Sequence, residues 1–476
     1  MNSPLWTLDE IVAATGARVG SGFNKATGAS IDTRTLEPGD LYFAIKGDMH
    51  DGHDFVPAAL ERGAAGAVIC EEKAGAFSSE RLIVVPDVLE AMRQLGRAAR
   101  KRTDARIVAI TGSVGKTGTK EAMRLALSGQ GRTHASVASY NNHWGVPLTL
   151  SRMPRETEFG IFEIGMNHAY EILPLTAMVR PHVAVITTIE PVHIEFFPSL
   201  WGIADAKGEI FSGLEPGGTA VINRDSPYFE RMKAHALASA AGRVVSFGEH
   251  EGADIRAERI LVKPDQSLVE ARVFGQLLSY RIGTAGRHIA LNSLSVLAAG
   301  HALGIDLAQV ALSFAGLKPP VGRGERTMLS IGGDEALLID ESYNANPASM
   351  RAALANLGAV ELNGQARRLA VLGDMKELGD KGPGLHEDLA EVIEANGIDL
   401  VFAAGPLMKN LVDRLPKAKV ALHTETSAEL VEAVCAAIRP GDAVTVKGSL
   451  SMKMALVVKA LKERYGASPT ANALKG

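Results

Sequence analysis

Ile107-Val108-Ala109-Ile110-Thr111-Gly112-Ser113-Val114-Gly115-Lys116-Thr117 is the stretch from which the rest of the chain is best read. Four successive apolar residues suit a strand buried on both faces, which points to a parallel sheet. The run passes directly into a glycine-rich turn and then into a helix pattern. Glycines at such a junction let backbone N–H groups close around phosphate oxygens at a helix N-terminus, where unpaired amides favour an anion. Lys116 can neutralise outer phosphates, and the Thr117 hydroxyl can bind Mg²⁺. Gly112, Ser113, Gly115, Lys116 and Thr117 are therefore expected to hold ATP. The first glycine of the full phosphate-loop pattern is missing, because Ile110 stands there. A chance glycine-rich turn with a surface lysine is the plain alternative, and the strand–loop–helix context weighs against it. Nucleotide binding by itself says nothing about what the nucleotide is used for.

Further apolar runs at 159–164, 183–188 and 219–222 are expected to be strands, several followed by helix patterns, the rhythm of a parallel sheet. Upstream, short strand-like runs at 41–45, 67–69 and 82–85 alternate with helical segments. Thr7-Leu8-Asp9-Glu10 reads as a capping box that starts a helix. Downstream, Leu317-Lys318-Pro319-Pro320-Val321-Gly322 resists both helix and central strand and reads as a linker. Beyond it, short buried runs at 336–339, 369–372, 400–403 and 443–446 suggest a second nucleotide-fold-like sheet. The expected fold is α/β in three domains, with boundaries at 1–102, 103–318 and 319–476: an N-terminal α/β domain, a central P-loop domain with a mostly parallel sheet, and a C-terminal Rossmann-like domain. A chain of 476 residues is too long for one compact core, in keeping with three. The last ten residues, small and polar, are expected to fray.

Composition narrows the function classes. A net charge of −4 argues against a nonspecific nucleic-acid binder. The absence of any run of about 18 apolar residues argues against membrane insertion. The amino terminus has no basic leader, and Asp9 and Glu10 fall where a signal's apolar stretch would begin. The two cysteines, Cys70 and Cys435, lie far apart in apolar contexts and are expected to be free thiols in a reducing cytoplasm. With no long exposed apolar stripe, a monomer is the default.

The remaining motifs are more specific. Asn141-Asn142-His143-Trp144-Gly145-Val146-Pro147 is followed by Phe162-Glu163-Ile164-Gly165-Met166-Asn167, His193-Ile194-Glu195-Phe196-Phe197 and Ala206-Lys207-Gly208-Glu209-Ile210. This ordered set resembles the central domain of the Mur ligases, whose wider family includes folylpolyglutamate synthase. Asp340-Glu341-Ser342-Tyr343-Asn344-Ala345-Asn346-Pro347 and Leu372-Gly373-Asp374-Met375-Lys376-Glu377-Leu378-Gly379 are similar to the branch that adds D-alanyl-D-alanine. The resemblance runs through nearly the whole chain.

It implies an ATP- and Mg²⁺-dependent ligase of peptidoglycan precursor synthesis. Its substrates would be UDP-N-acetylmuramoyl-tripeptide and D-alanyl-D-alanine, joined through an acyl phosphate. By resemblance Glu163 and His193 would hold Mg²⁺ with Thr117, and Lys207 would join them as a carbamate. Lys116, Glu163, His193, Lys207 and Arg323 are the expected catalytic residues. A guanidinium suits the role given to Arg323, since it donates paired, charge-assisted bonds to phosphate. Asn292 would meet adenine and Asp340 the ribose. Ser30, Asp32, Thr33 and Arg34, with the segment 47–55, would receive the UDP group. Asn142, Tyr343, Asn344 and Asn346 complete the substrate contacts. Many relatives have Arg where Leu450 stands. Each motif also has a plainer reading: a helix-surface Asn for Asn292, a capping turn for 30–34, and a strand-to-helix turn for 343–347. The sequence does not name the base that takes the proton from the attacking amine: His193, His386 and bulk base stand alike. Two rivals remain open, a sibling ligase and a P-loop ATPase doing conformational work.

Overall fold

The computed structural model describes residues 4–47, 49–137 and 139–466. Asp48, within the 47–55 segment, and the tail expected to fray lie outside the described residues. The strands gather into a two-stranded pair and sheets of five, nine and six strands.

The nine-stranded sheet grows outward from Arg106–Thr111, as its first residues suggest. Ile107, Val108, Ala109 and Ile110 are fully buried, and Arg106–Thr111 pairs in parallel with Phe159–Glu163 on one side and Val183–Ile186 on the other. Gly218–Asn223 and Ala241–Gly248 extend the parallel part. Three strands not expected above, Ile255–Val262, Ser267–Val273 and Gln276–Ile282, add an antiparallel meander at one edge. Polar residues interleave with the apolar ones in this meander, as in Ser267–Val273, so no continuous apolar run marks it.

The six-stranded sheet holds Asp334–Glu341, Arg368–Gly373, Leu400–Ala404, Val420–Thr424 and Ala443–Lys447 in parallel, with Glu325–Ile331 antiparallel at its edge. The 317–320 segment is irregular, as two prolines dictate. One buried apolar cluster runs from the central sheet (Ile186, Ile189, Ile194) into the C-terminal one (Ile339, Met350, Met375, Leu378), so the two share a core. The five-stranded N-terminal sheet includes Asp40–Phe43, Gly66–Cys70 and Leu82–Val85. The Thr7 side chain and Glu10 form the expected capping box at the start of Leu8–Thr15. Nearby, the Trp6 indole donates to the Ser151 carbonyl at 2.8 Å, fastening this region to the central one.

Candidate active site

Neighbouring parallel strands end side by side, and their C-terminal loops face the same way, the usual location of a site in such a sheet. Arg106–Thr111 leads into the phosphate loop, Phe159–Glu163 ends on Glu163, and Val183–Ile186 leads to Thr187, Thr188, Glu190 and His193. Together with the C-terminal sheet they bound a cleft of about 580 Å³. A shallow hollow beside Arg132 and Glu158 shows no such convergence.

The phosphate loop is shaped by glycines at two positions where no other residue fits. Gly112 and Gly115 have φ of 146° and 86°, and a Cβ on either would collide with Thr187 or with the Asn292 amide. Asn292, on helix Arg287–Ala302, thus lies against the loop. The Lys116 ammonium folds over the loop and donates to the Gly112 carbonyl at 2.6 Å. Burial lowers the Lys116 pKa, and Arg323 adds to the effect while Glu163 opposes it. Ser113 has a supporting place: its N–H donates to Thr188 O at 2.9 Å, and its hydroxyl exchanges bonds with the Glu190 backbone.

Thr117 and Glu163 stand together. The Thr117 hydroxyl donates to Glu163 Oε2 at 2.9 Å, and Asn141 Nδ2 donates to Glu163 Oε1 at 2.7 Å. These side-by-side oxygens suit Mg²⁺, which takes one or two carboxylates and fills its octahedron with phosphate and water. Among the described residues no group of three or more His, Cys, Asp or Glu gathers, so the donor set fits an ion brought in with a nucleotide. Asn141 was missing from the expectations although it adjoins Asn142. The Asn142 Oδ1 accepts the N–H groups of Trp144 and Gly145 and so caps the start of the next helix.

Lys207 lies on helix Leu200–Gly208 and is 1 % exposed. It forms no hydrogen bond or ion pair with a described residue. Burial, with the Lys116 charge as a second cause, holds its pKa well below the ordinary lysine value. A neutral buried amine is a nucleophile towards CO₂, which is the chemistry a carbamate needs. His193 lines the cleft, and its Nδ1 touches the Glu377 carboxylate from the C-terminal sheet.

The opposite wall belongs to the C-terminal sheet. Arg323 donates to Ser139 Oγ at 3.3 Å, beside Thr117, and its guanidinium lies 4.3 Å from the centre of the Tyr343 ring. Asp340 does not face the cleft as expected: its Oδ1 accepts from the Ser342 N–H and hydroxyl, closing the turn. Glu341 lines the cleft instead. Tyr343, Asn344 and Asn346 do line it, but the Asn346 oxygen also caps helix Pro347–Gly358 through the Ser349 N–H. Lys447, buried and with its pKa lowered by that burial, donates to Asn344 O at 2.8 Å. Leu450 is exposed at the same cleft. His386 cannot serve as the amine's base, because it is fully buried with Nε2 accepting from Met375 N and Nδ1 against Gly382 O.

Ser30, Asp32, Thr33 and Arg34 do not reach this cleft. The Arg34 guanidinium holds the Asp32 carboxylate at 2.6 Å and keeps its pKa below the ordinary aspartate value. Ser30 is buried and bonds the Asp32 backbone, and Arg62 donates to Thr33 O at 2.7 Å. The turn stands at the seam with the central region, where Arg152 donates to Ala29 O at 2.6 Å.

Three family descriptions match the chain in succession: "Mur ligase family, catalytic domain" over 25–100, "Mur ligase middle domain" over 110–300 and "Mur ligase, glutamate ligase domain" over 322–450. The UDP-N-acetylmuramoyl-tripeptide–D-alanyl-D-alanine ligase of Bacillus subtilis is 32 % identical over 92 % of this chain and 93 % of its own length. The enzyme of the same name from Escherichia coli is 33 % identical over 91 % and 93 %. A crystal structure of MurF from Acinetobacter baumannii superposes with a TM-score of 0.83 at 28 % identity, covering 97 % of this chain and 99 % of that one.

Proposed function

Because the chain belongs to the Mur ligase family, we infer from its site that it joins D-alanyl-D-alanine to UDP-N-acetylmuramoyl-tripeptide at the expense of ATP. The product is the UDP-linked pentapeptide, with ADP and phosphate. The observation that carries this reading is the reach of Arg323 to Ser139 beside the Thr117–Glu163 pair. It sets a phosphate cradle on one wall directly across from the Tyr343–Asn346 turn on the other.

That geometry suits a two-step ligation. The tripeptide's terminal carboxylate attacks the γ-phosphorus and ADP departs, with Lys116 and Arg323 opposing the charge that gathers on the transferred group. The amine of the dipeptide then attacks the acyl carbon, and the tetrahedral intermediate expels phosphate. Tyr343, Asn344 and Asn346 supply hydroxyl and amide groups for the dipeptide. Thr117, Glu163, His193 and a carbamylated Lys207 would hold Mg²⁺, which when bound screens the phosphate oxygens. Asn292 is assigned to adenine, and Ser30, Asp32, Thr33 and Arg34 to the UDP group. Because Arg323 comes from the C-terminal sheet, docking of that sheet completes the site and excludes water from the acyl phosphate. The partition at 102 and 318, a monomeric state and a cytoplasmic setting belong to the same reading; no helix among the described residues is long and apolar enough to cross a membrane.

The test is phosphate release from ATP with UDP-N-acetylmuramoyl-tripeptide, with and without D-alanyl-D-alanine, and mass spectrometry of the product. Release that requires the dipeptide and yields a pentapeptide is the expected outcome. Turnover indifferent to the dipeptide would overturn the reading in favour of a sibling ligase or an ATPase.

A further inference from the structure

Six non-glycine residues among those described have left-handed backbone, and two of the six, His193 and Glu377, meet side chain to side chain across the cleft. Side-chain-bearing residues rarely adopt this conformation, and persistent instances mark places where the surrounding structure enforces it. His193, at φ 54°, follows the loop that Ser113 pins to the phosphate loop. Glu377, at φ 63°, leaves strand Arg368–Gly373 of the C-terminal sheet.

The Glu377 loop is firmly supported. The Asp374 carboxylate, fully buried, accepts from Met408 N and Lys376 Nζ, each at 2.9 Å. Lys376 N donates to Ser449 Oγ at 2.9 Å, and Met375 N to His386 Nε2 at 2.9 Å. Two residues beyond Glu377, Gly379 approaches Glu195 so closely that an added Cβ would lie 3.1 Å from the Glu195 Cβ. Nδ1 of His193 is buried and makes no hydrogen bond with a described residue; the Glu377 carboxylate is the acidic group that touches it.

We propose that Glu377 is a positioning residue of the ligation centre, whose carboxylate accepts from the Nδ1–H of His193, keeps the proton on Nδ1 and leaves Nε2 free for the divalent cation. In neutral imidazole one nitrogen carries the proton, and the partner of that nitrogen decides which one it is. A carboxylate on the far side of a metal-binding imidazole fixes both tautomer and ring orientation. Here the carboxylate comes from the other wall, so cation binding through His193 is coupled to docking of the C-terminal sheet. The inference rests on the assignment of His193 to Mg²⁺ made above.

Two measurements test it. In the full-length protein labelled with ¹⁵N-histidine, the His193 resonances, assigned with His193→Gln, are expected to report the Nδ1–H tautomer, and to shift towards Nε2–H in Glu377→Gln. Mn²⁺ titration by electron paramagnetic resonance, with a non-hydrolysable ATP analogue present, is expected to show binding weakened about 10-fold or more in Glu377→Gln, the range for loss of such a partner. Nε2–H in the unsubstituted protein, or unchanged Mn²⁺ affinity in Glu377→Gln alongside weakened affinity in His193→Gln, would overturn the role of Glu377. Unchanged Mn²⁺ affinity in His193→Gln would instead remove the assignment of His193 on which the inference rests.

Discussion

The two walls of the cleft use similar residues for opposite purposes. On the central wall, polar groups are left with capacity to spare. Lys207, buried nearby, has no hydrogen bond or ion pair with a described residue, and Lys116 donates to the carbonyls of its own loop and has its charge disfavoured by burial. On the C-terminal wall many of the groups satisfy one another: Asp340 closes on Ser342, Asn346 caps a helix, and Lys447 holds the Asn344 carbonyl. Leaving a buried charge uncompensated costs stability, so a fold keeps one where a ligand will supply the missing partner. The central wall therefore has the spare capacity that nucleotide phosphates fill. The C-terminal wall is built to hold its shape and to offer the capacity left over.

The sharpest test of this contrast is Lys207→Met. A side chain of similar length without the amine is expected to lower ligation by roughly 10³-fold, the upper end for one electrostatic group. The same change is expected to raise thermal stability, since a buried polar amine without a protein partner costs stability that an apolar side chain does not. Phosphate release and calorimetry on one variant check both, and a fall in stability would break the comparison.

Arg323→Lys keeps the charge but loses the planar fork and its place on Tyr343. A drop of about 10²-fold in single-turnover rate is expected, with nucleotide affinity changed much less.

The two asparagines of the C-terminal turn should separate. Asn344→Ala is expected to raise the KM for D-alanyl-D-alanine about 10-fold, the worth of one hydrogen bond. Asn346→Ala is expected to cost about 1 kcal/mol of stability through the lost cap. Equal effects of both on KM would mean that the cap takes nothing away from what the Asn346 amide offers the dipeptide.

The smallest effect belongs to the N-terminal turn. Asp32 has a lowered pKa, so its pairing with Arg34 contributes above the unfolded-state value near pH 4 and is lost as pH falls through the folded value. Asp32→Asn is therefore expected to produce a small loss at pH 7 that vanishes at acid pH, followed by thermal melts at both. A large loss of affinity for the UDP-linked substrate in the same variant would show that the turn does more than hold itself together.

Local chemistry made much of this legible in the residues alone. Runs such as Leu369–Leu372, apolar throughout, or Ala443–Val446, apolar but for Thr445, form strands and are fully buried. Glycines at 112 and 115 form the phosphate loop because only they fit, and the prolines at 319 and 320 break the chain between two sheets. Such features depend on neighbours within a few positions, so the sequence by itself determined them. The antiparallel meander at 255–282 escaped because its strands mix apolar and polar residues, and that pattern signals less than an apolar run.

What only the tertiary structure decided is which polar atoms remain free. From residue types alone, Asp340 and Glu341 are interchangeable, as are Asn141 and Asn142, or His193 and His386. The fold spends Asp340 on a turn, Asn142 on a cap and His386 on two backbone groups. It turns Glu341, Asn141 and His193 towards the cleft. It also brings Glu377 to His193, 184 positions away in the numbering of the chain. A hydrogen bond is made once its donor and acceptor meet, and for groups this far apart in the chain only the packing of sheet against sheet decides whether they do.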